Sequence, residues 1–550
     1  MRIHVRLGSL LTLAACLLAT APGLAADDAR RNLVDVRWLT RHLDDPGVLI
    51  LDASLAPAYA AQHIPGAIHV DAFVYGGKEL PLAEAERLYQ SWGISPGKTI
   101  VLYDQGGSYL ATRLFWALHY HGFPTDRLAI LDGGLARWQA AQLPVTKDVP
   151  PPPARGTFTV SGTNEQVRVR LPEFLNASGD PANSALVEAL GGDWHFGAVR
   201  AFDRAGHPPH GILLPSADLY NPDKTFKSDD ELRRMLHYLG IAPEKQIYTY
   251  CGGGVAASAP FFALKFLLGY PNVKLYPESE MGWLSDERGL PYWTYDAPSL
   301  MRHAPWLQWS GGQRIRTFVG ARVSIVDVRP PDAFTVEHVP FALNVPAAVF
   351  REHTGRLDEL AGVLGAAGVD ATHEAVVVSG GGLTKEAALA FVLLEALGQA
   401  RTSVLVDSMA RWAQQGFDTA KTATAVGPRT SPRDLSIEPT RYASARRSGV
   451  LITDPSATTG LYPKVFVASG SSLPAHAPDG TVVHVPYTEL LNADGTPKAA
   501  KDIWIILAKA GVPRHAELVC LSDDPGEAAV NYVILKLMGY PDVKVLAAAR

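Results

Sequence analysis

Three cysteines in 550 residues are too few for a disulfide framework, so stability must come from packed cores rather than cross-links. Charge of one sign is also scarce. A net charge of -5 over the whole chain leaves no basic field for nucleic acid and no polybasic patch for a membrane surface, which favours a small solute or a protein partner. Past the N-terminus no apolar run approaches the ~20 residues a bilayer crossing needs, so no membrane span is expected. The histidines and cysteines lack metal-ligand spacing and no phosphate-binding loop motif occurs, so neither a metal nor a cofactor is expected. Nor is the chain short of apolar residues: 47% hydrophobic against 19% charged excludes a disordered polymer and implies globular cores throughout.

The N-terminus has the layout of an export signal. Arg2 and Arg6 precede an apolar stretch from Leu7 to Thr20, and small residues surround Ala25 and Ala26, where cleavage is expected. The run Leu13, Ala14, Ala15, Cys16 also matches a lipoprotein box, but the residues after Cys16 stay apolar, which favours simple cleavage over lipid anchoring. The mature chain is therefore expected to be soluble and exported, periplasmic or secreted, and to retain only Cys251 and Cys520.

A chain of this length must divide into several domains, and an internal repeat shows where. Four times a glycine is followed by a short turn, an apolar strand and, eleven positions on, a distinctive residue: Gly93 to Asp104, Gly240 to Cys251, Gly368 to Ser379, Gly511 to Ser522. A small-residue loop and a helical stretch follow, ending in Gly122, Gly269, Gly398 and Gly539. Earlier apolar strands end at Asp52 and, in VLITD, at Asp454, and SIVDVR covers 324–329. Short apolar strands alternating with helices predict an α/β fold, each repeat a parallel sheet with helices on both faces. Proline-rich stretches at 148–156 and 425–434 act as linkers, and 293–318 reads as a looser join. The expected division is a signal at 1–25 and domains at 32–147, 165–300, 318–422 and 433–550, in two pairs, the fourth the least complete.

The motifs AYAAQHIPGAIHV (58–70) and LDGGLARW (131–138) resemble the landmarks of the rhodanese domain, and VEHVPFALNVP with VDSMARW echoes them in the third repeat. The chain is thus similar to tandem thiosulfate and 3-mercaptopyruvate sulfurtransferases, extended by a second pair. The resemblance implies that the distinctive residue is a sulfur-carrying cysteine. Of Asp104, Cys251, Ser379 and Ser522, Cys251 alone can form a persulfide, while Cys520 lies inside its strand as an apolar filler.

The loop after Cys251 is Gly252, Gly253, Gly254, Val255 and Ala256, with a helix expected from near Ala257. Glycines let successive backbone N–H groups turn inward, and a helix start adds positive potential, so the loop suits an anion or a thiolate. The expected reaction moves sulfane sulfur from a small donor, thiosulfate or 3-mercaptopyruvate, through a Cys251 persulfide to a thiol or cyanide. A persulfide relay to a protein thiol and a non-catalytic scaffold are the alternatives. A phosphatase-type loop would need an arginine at Ala257, which excludes phosphoryl chemistry. The resemblance adds Asp52 and His63 as candidate relay residues, although the serine they would serve is Gly253 here. His63 could equally order its own turn. The family's substrate arginine falls on Leu190, which leaves Arg200 and Arg204 as candidate replacements, and Ser279 matches a serine near the family's site.

Overall fold

A computed structural model describes residues 32–75, 79–431, 434–443, 445–474 and 478–547. The expected export signal, with Cys16, lies outside the described residues. Among them, no helix is long and apolar enough to cross a membrane.

Four sheets follow one another along the chain, and every strand pairing within them is parallel. The first contains β1 (Leu33–Val34), β2 (Val48–Asp52), β3 (Ile68–His69), β4 (Thr99–Tyr103) and β5 (Leu128–Leu131), in the order β1-β5-β4-β2-β3. The second contains β6 (Ser184–Glu188), β7 (Gly211–Leu213), β8 (Gln246–Tyr250) and β9 (Val273–Leu275). Its order repeats the first without the edge strand, which is reduced to a single bridge from Arg168 to Leu275. The third is formed by β10 (Met301–Arg302), β11 (Val323–Asp327), β12 (Ala342–Asn344), β13 (Glu374–Val378) and β14 (Arg401–Leu405). The fourth is formed by β15 (Leu451–Ile452), β16 (Lys464–Ala468), β17 (Thr481–His484), β18 (Glu517–Leu521) and β19 (Val543–Leu546). Both recover the five-strand order. Their central strands are apolar nearly throughout because helices cover both faces, as crossover connections between parallel strands require.

Two expectations are corrected. The interval 293–318 is no loose join. It supplies the edge strand β10 and the helices Ala304–Gly311 and Gln313–Val319 of the third unit. In the fourth repeat, VLITD is not the counterpart of VLILD. Leu451–Ile452 pairs with β19 at the sheet edge, as β1 pairs with β5, and the central partner of β18 is β16. The residues facing the ends of the four central strands are therefore Asp52, Glu188, Asp327 and Ala468, opposite Tyr103, Tyr250, Val378 and Leu521. Asp454 has no place in that series.

One apolar core joins the first two sheets and a second joins the last two. At each centre two helices meet: Leu110–Tyr120 against Ser258–Phe262, and Lys385–Ala396 against Pro525–Leu537. Pairing is what buries their otherwise apolar surfaces, and it also sets one repeat's loops over the next repeat's strand ends.

Candidate active site

The four distinctive residues stand at the C-terminal ends of β4, β8, β13 and β18, but only one loop leaves room beside its residue. Asp104 is buried, and its carboxylate accepts the N–H groups of Gly106, Leu110 and Ala111 at 2.8, 3.1 and 3.0 Å. The first loop is thus closed on its own anion. In the third, the Ser379 hydroxyl donates to the Gly382 carbonyl, and Gly382 packs against Gly495 of the fourth repeat. In the fourth, Ser522 donates to Glu527, while Asp524 is held by Arg351 and Lys385 of the third repeat at 3.0 and 2.8 Å.

Cys251 differs. The residue is 2% exposed and lines a cavity of about 400 Å³. The Gly254 N–H donates to Sγ at 3.1 Å, and the Ser279 hydroxyl accepts the Cys251 N–H at 3.1 Å while donating to the Tyr276 carbonyl at 2.7 Å. Gly254 adopts φ +80° with its Cα pressed on Pro277, a position only glycine fits. The helix is shorter than expected, running from Ser258 to Phe262 before a wider π turn at Ala263–Leu267, so the loop amide supplies the contact to sulfur.

The first repeat completes the cavity. Phe73 and Tyr109 wall it opposite Leu190, Trp194 and Met281. Arg113, fully buried in the helix Leu110–Tyr120, reaches across the interface and donates to the Gly254 carbonyl at 3.2 Å. Burial lowers the Arg113 guanidinium to about 10, partly offset by the favourable field of Cys251.

The family is visible in more than geometry. A family model described as the rhodanese-like domain matches residues 35–141 and 316–415. The sulfur carrier protein TtuD of Thermus thermophilus is 33% identical over 267 residues, covering 46% of this chain and 93% of that protein. This chain belongs to the rhodanese-like sulfurtransferase family. The 3-mercaptopyruvate sulfurtransferase of Escherichia coli K12 is 30% identical over 271 residues, covering 46% of this chain and 94% of that protein. Among solved structures, SseA from Escherichia coli, a 3-mercaptopyruvate sulfotransferase with the rhodanese fold, is 29% identical. It covers 45% of this chain and 98% of that chain, with a TM-score of 0.40.

Within this rhodanese-family chain the other candidates sit apart from the sulfur. His63 is buried with both ring nitrogens facing carbonyls, Tyr59 O at 2.9 Å and Asp148 O at 3.3 Å, and it stacks on Tyr59 at 3.8 Å. His338 repeats that arrangement on Phe334 in the third repeat, whose loop carries Ser379 in place of a cysteine. Asp52 is buried and accepts the Ser54 N–H at 2.9 Å. Neither Asp52 nor His63 lines the cavity. Arg204 does not line the cavity: its guanidinium donates to the carbonyls of Trp283, Leu284, Asp286 and Leu290 at 2.7 to 3.3 Å. Arg200 is exposed and turns back to the Asp203 carbonyl. Cys520 is fully buried in β18, and burial pushes its thiol well up. Both described cysteines are free, so no disulfide links them.

Behind Cys251 lies a polar cluster that spacing did not reveal. His195 bridges Glu188 at 2.6 Å and Asp296 at 2.5 Å, and the His207 ring stacks on it at 3.6 Å and 2°. Burial works against a charge on His195, but Asp296 and Glu188 outweigh it and raise the imidazole to about 9. Burial and His195 itself lower His207 to about 4. Glu188, His195 and His207 present donor atoms within 4.8 Å of one another. Parallel stacked rings cannot aim both lone pairs at one ion, so the cluster suits a held proton better than a metal. Glu280, whose backbone N–H donates to the Cys251 carbonyl at 2.9 Å, is pushed well up by burial and then by Glu188, which keeps it neutral.

Proposed function

We propose that this chain is a sulfurtransferase whose nucleophile is Cys251, taking a sulfur atom from thiosulfate or 3-mercaptopyruvate and passing it to a thiol or cyanide. The observation that carries the reading is the Gly254 N–H on Sγ in the lining of a cavity, while Asp104, Ser379 and Ser522 in the other loops are engaged by their own loop or helix. The thiolate attacks the transferable sulfur and a new S–S bond forms; with thiosulfate the old S–S bond breaks and sulfite leaves with its electron pair, and with 3-mercaptopyruvate the C–S bond breaks and the pyruvate enolate leaves with its electron pair. An acceptor thiolate or cyanide then attacks the outer sulfur of the persulfide and releases the Cys251 thiolate. The relatives' names support sulfur transfer as the chemistry, and the N-terminal pattern supports action outside the cytoplasm.

A persulfide relay to a protein thiol is the second reading. Phe73 and Met281 favour it: they stand at the cavity mouth 56% and 55% exposed, an apolar collar a partner protein could cover. Intact mass after brief exposure to each donor, alongside Cys251→Ser, tests the nucleophile. A cyanide-labile gain of ~32 Da, one sulfur atom, is expected on the wild type only. No adduct on protein with a free, reduced Cys251 would overturn the proposal.

A further inference from the structure

The cavity over Cys251 carries information about the donor. Its described lining is Phe73, Tyr109, Leu190, Trp194, Met281 and the loop itself, Cys251 to Gly253 with Val255 and Ala256. No charged side chain occurs in that described lining. Arg200 and Arg204 are committed elsewhere, and Leu190 stands where the resemblance expects an arginine. Arg113 is buried behind the loop on the Gly254 carbonyl and is not part of the cavity lining.

Two physical consequences follow. A dianion such as thiosulfate, or a carboxylate such as 3-mercaptopyruvate, would lose hydration on entering without meeting a paired cation, a heavy penalty in an apolar site. A volume of about 400 Å³ is also the size of an organic ligand, and a five-atom anion would leave most of it to water. Three aromatic rings, a leucine and a methionine instead reward flat or flexible apolar surface.

We propose that the preferred donor is a sulfane sulfur carried on an uncharged, apolar organic group, an aryl or alkyl persulfide, with thiosulfate and 3-mercaptopyruvate served more slowly. This rests on Cys251 being the nucleophile. In R–S–SH the Cys251 thiolate attacks the outer sulfur, the R–S–S bond breaks, R–S⁻ leaves, and the proton stays on the transferred sulfur as Cys251–S–SH. No oxidant or reductant is required.

The test compares kcat/KM for benzyl persulfide, thiosulfate and 3-mercaptopyruvate with one common acceptor, reading the Cys251 adduct by intact mass in parallel. Benzyl persulfide is expected to lead by at least about tenfold, chiefly through KM. Leu190→Arg is expected to reverse the order by lowering KM for the two anions and raising it for the benzyl donor. Equal or higher kcat/KM for either anion in the wild type would overturn the inference while leaving Cys251 as nucleophile. Absence of any adduct with all three donors would instead remove the nucleophile itself, and this inference with it.

Discussion

Replacing Gly254 with alanine removes a position that no other part of the loop can replace. The backbone there is left-handed at φ +80°, where a Cβ costs roughly 1–2 kcal/mol. The added methyl would also lie 2.5 Å from the Pro277 carbonyl oxygen and 2.8 Å from Pro277 Cα. Pro277 cannot retreat easily, because the preceding Tyr276 donates its N–H to the Thr249 carbonyl at 2.9 Å and its own carbonyl accepts the Ser279 hydroxyl at 2.7 Å. The loop must shift instead, and the 3.1 Å hydrogen bond from Gly254 N to Cys251 Sγ opens. A hydrogen bond to a charged acceptor contributes about 1.5–3 kcal/mol, so the rate of thiolate attack at pH 7 should fall between about 10-fold and 100-fold. Iodoacetamide alkylation of Cys251, followed by mass, measures this without assuming a donor. Gly252→Ala is the control: its Cβ would meet only Leu190 and Phe202 side-chain atoms at 3.6 and 3.7 Å, and alkylation should stay within about threefold of wild type. Folded Gly254→Ala protein alkylated as fast as the control would refute the role given to that N–H.

Gly253→Ser should fold normally, since the nearest atom to its new Cβ is Met281 Cε at 3.9 Å. It should raise turnover of 3-mercaptopyruvate, to be read as kcat against melting temperature. Asp104→Ala would strand three loop N–H groups and should lower unfolding free energy by about 3 kcal/mol in urea titration while the Cys251 alkylation rate changes little. Burial lowers His119, His207 and His515 each to about 4, so they are neutral when folded but take protons near 6.5 when unfolded. Their contribution is present above pH 6.5 and is lost as pH falls toward 4, so the melting temperature should drop across that window. His195, raised to about 9, acts in the opposite sense: its contribution is present below pH 6.5 and is lost as pH rises through 9. His195→Gln should therefore flatten the alkaline limb of the melting curve.

VLITD and VLILD are alike as local patterns, yet one forms an edge strand and the other a central one. Strand identity depends on which neighbour pairs, and pairing is non-local. The true central strand of the fourth repeat, Lys464–Ala468, ends in alanine where the acidic marker was sought. Arg204 was a fair candidate on charge alone, but four backbone carbonyls 79 to 86 residues away claim it. Arg113 is the one arginine inside LATRLFWALH, and a charge in an apolar helix must have a partner. Its partner belongs to another repeat.

What the sequence determined by itself is what repeats locally: the glycine, the turn and short apolar strand after it, the distinctive residue eleven positions on, and the loop. Those spacings follow from strand rise and tight-turn geometry, so Cys251 could be singled out among four equivalents without coordinates. Only the tertiary structure decided what surrounds the sulfur. The walls Phe73 and Tyr109, the buried Arg113 and the lack of a cation in the described cavity arise from docking one repeat on the next. That docking is fixed by apolar helix faces, which carry little sequence signal beyond being apolar.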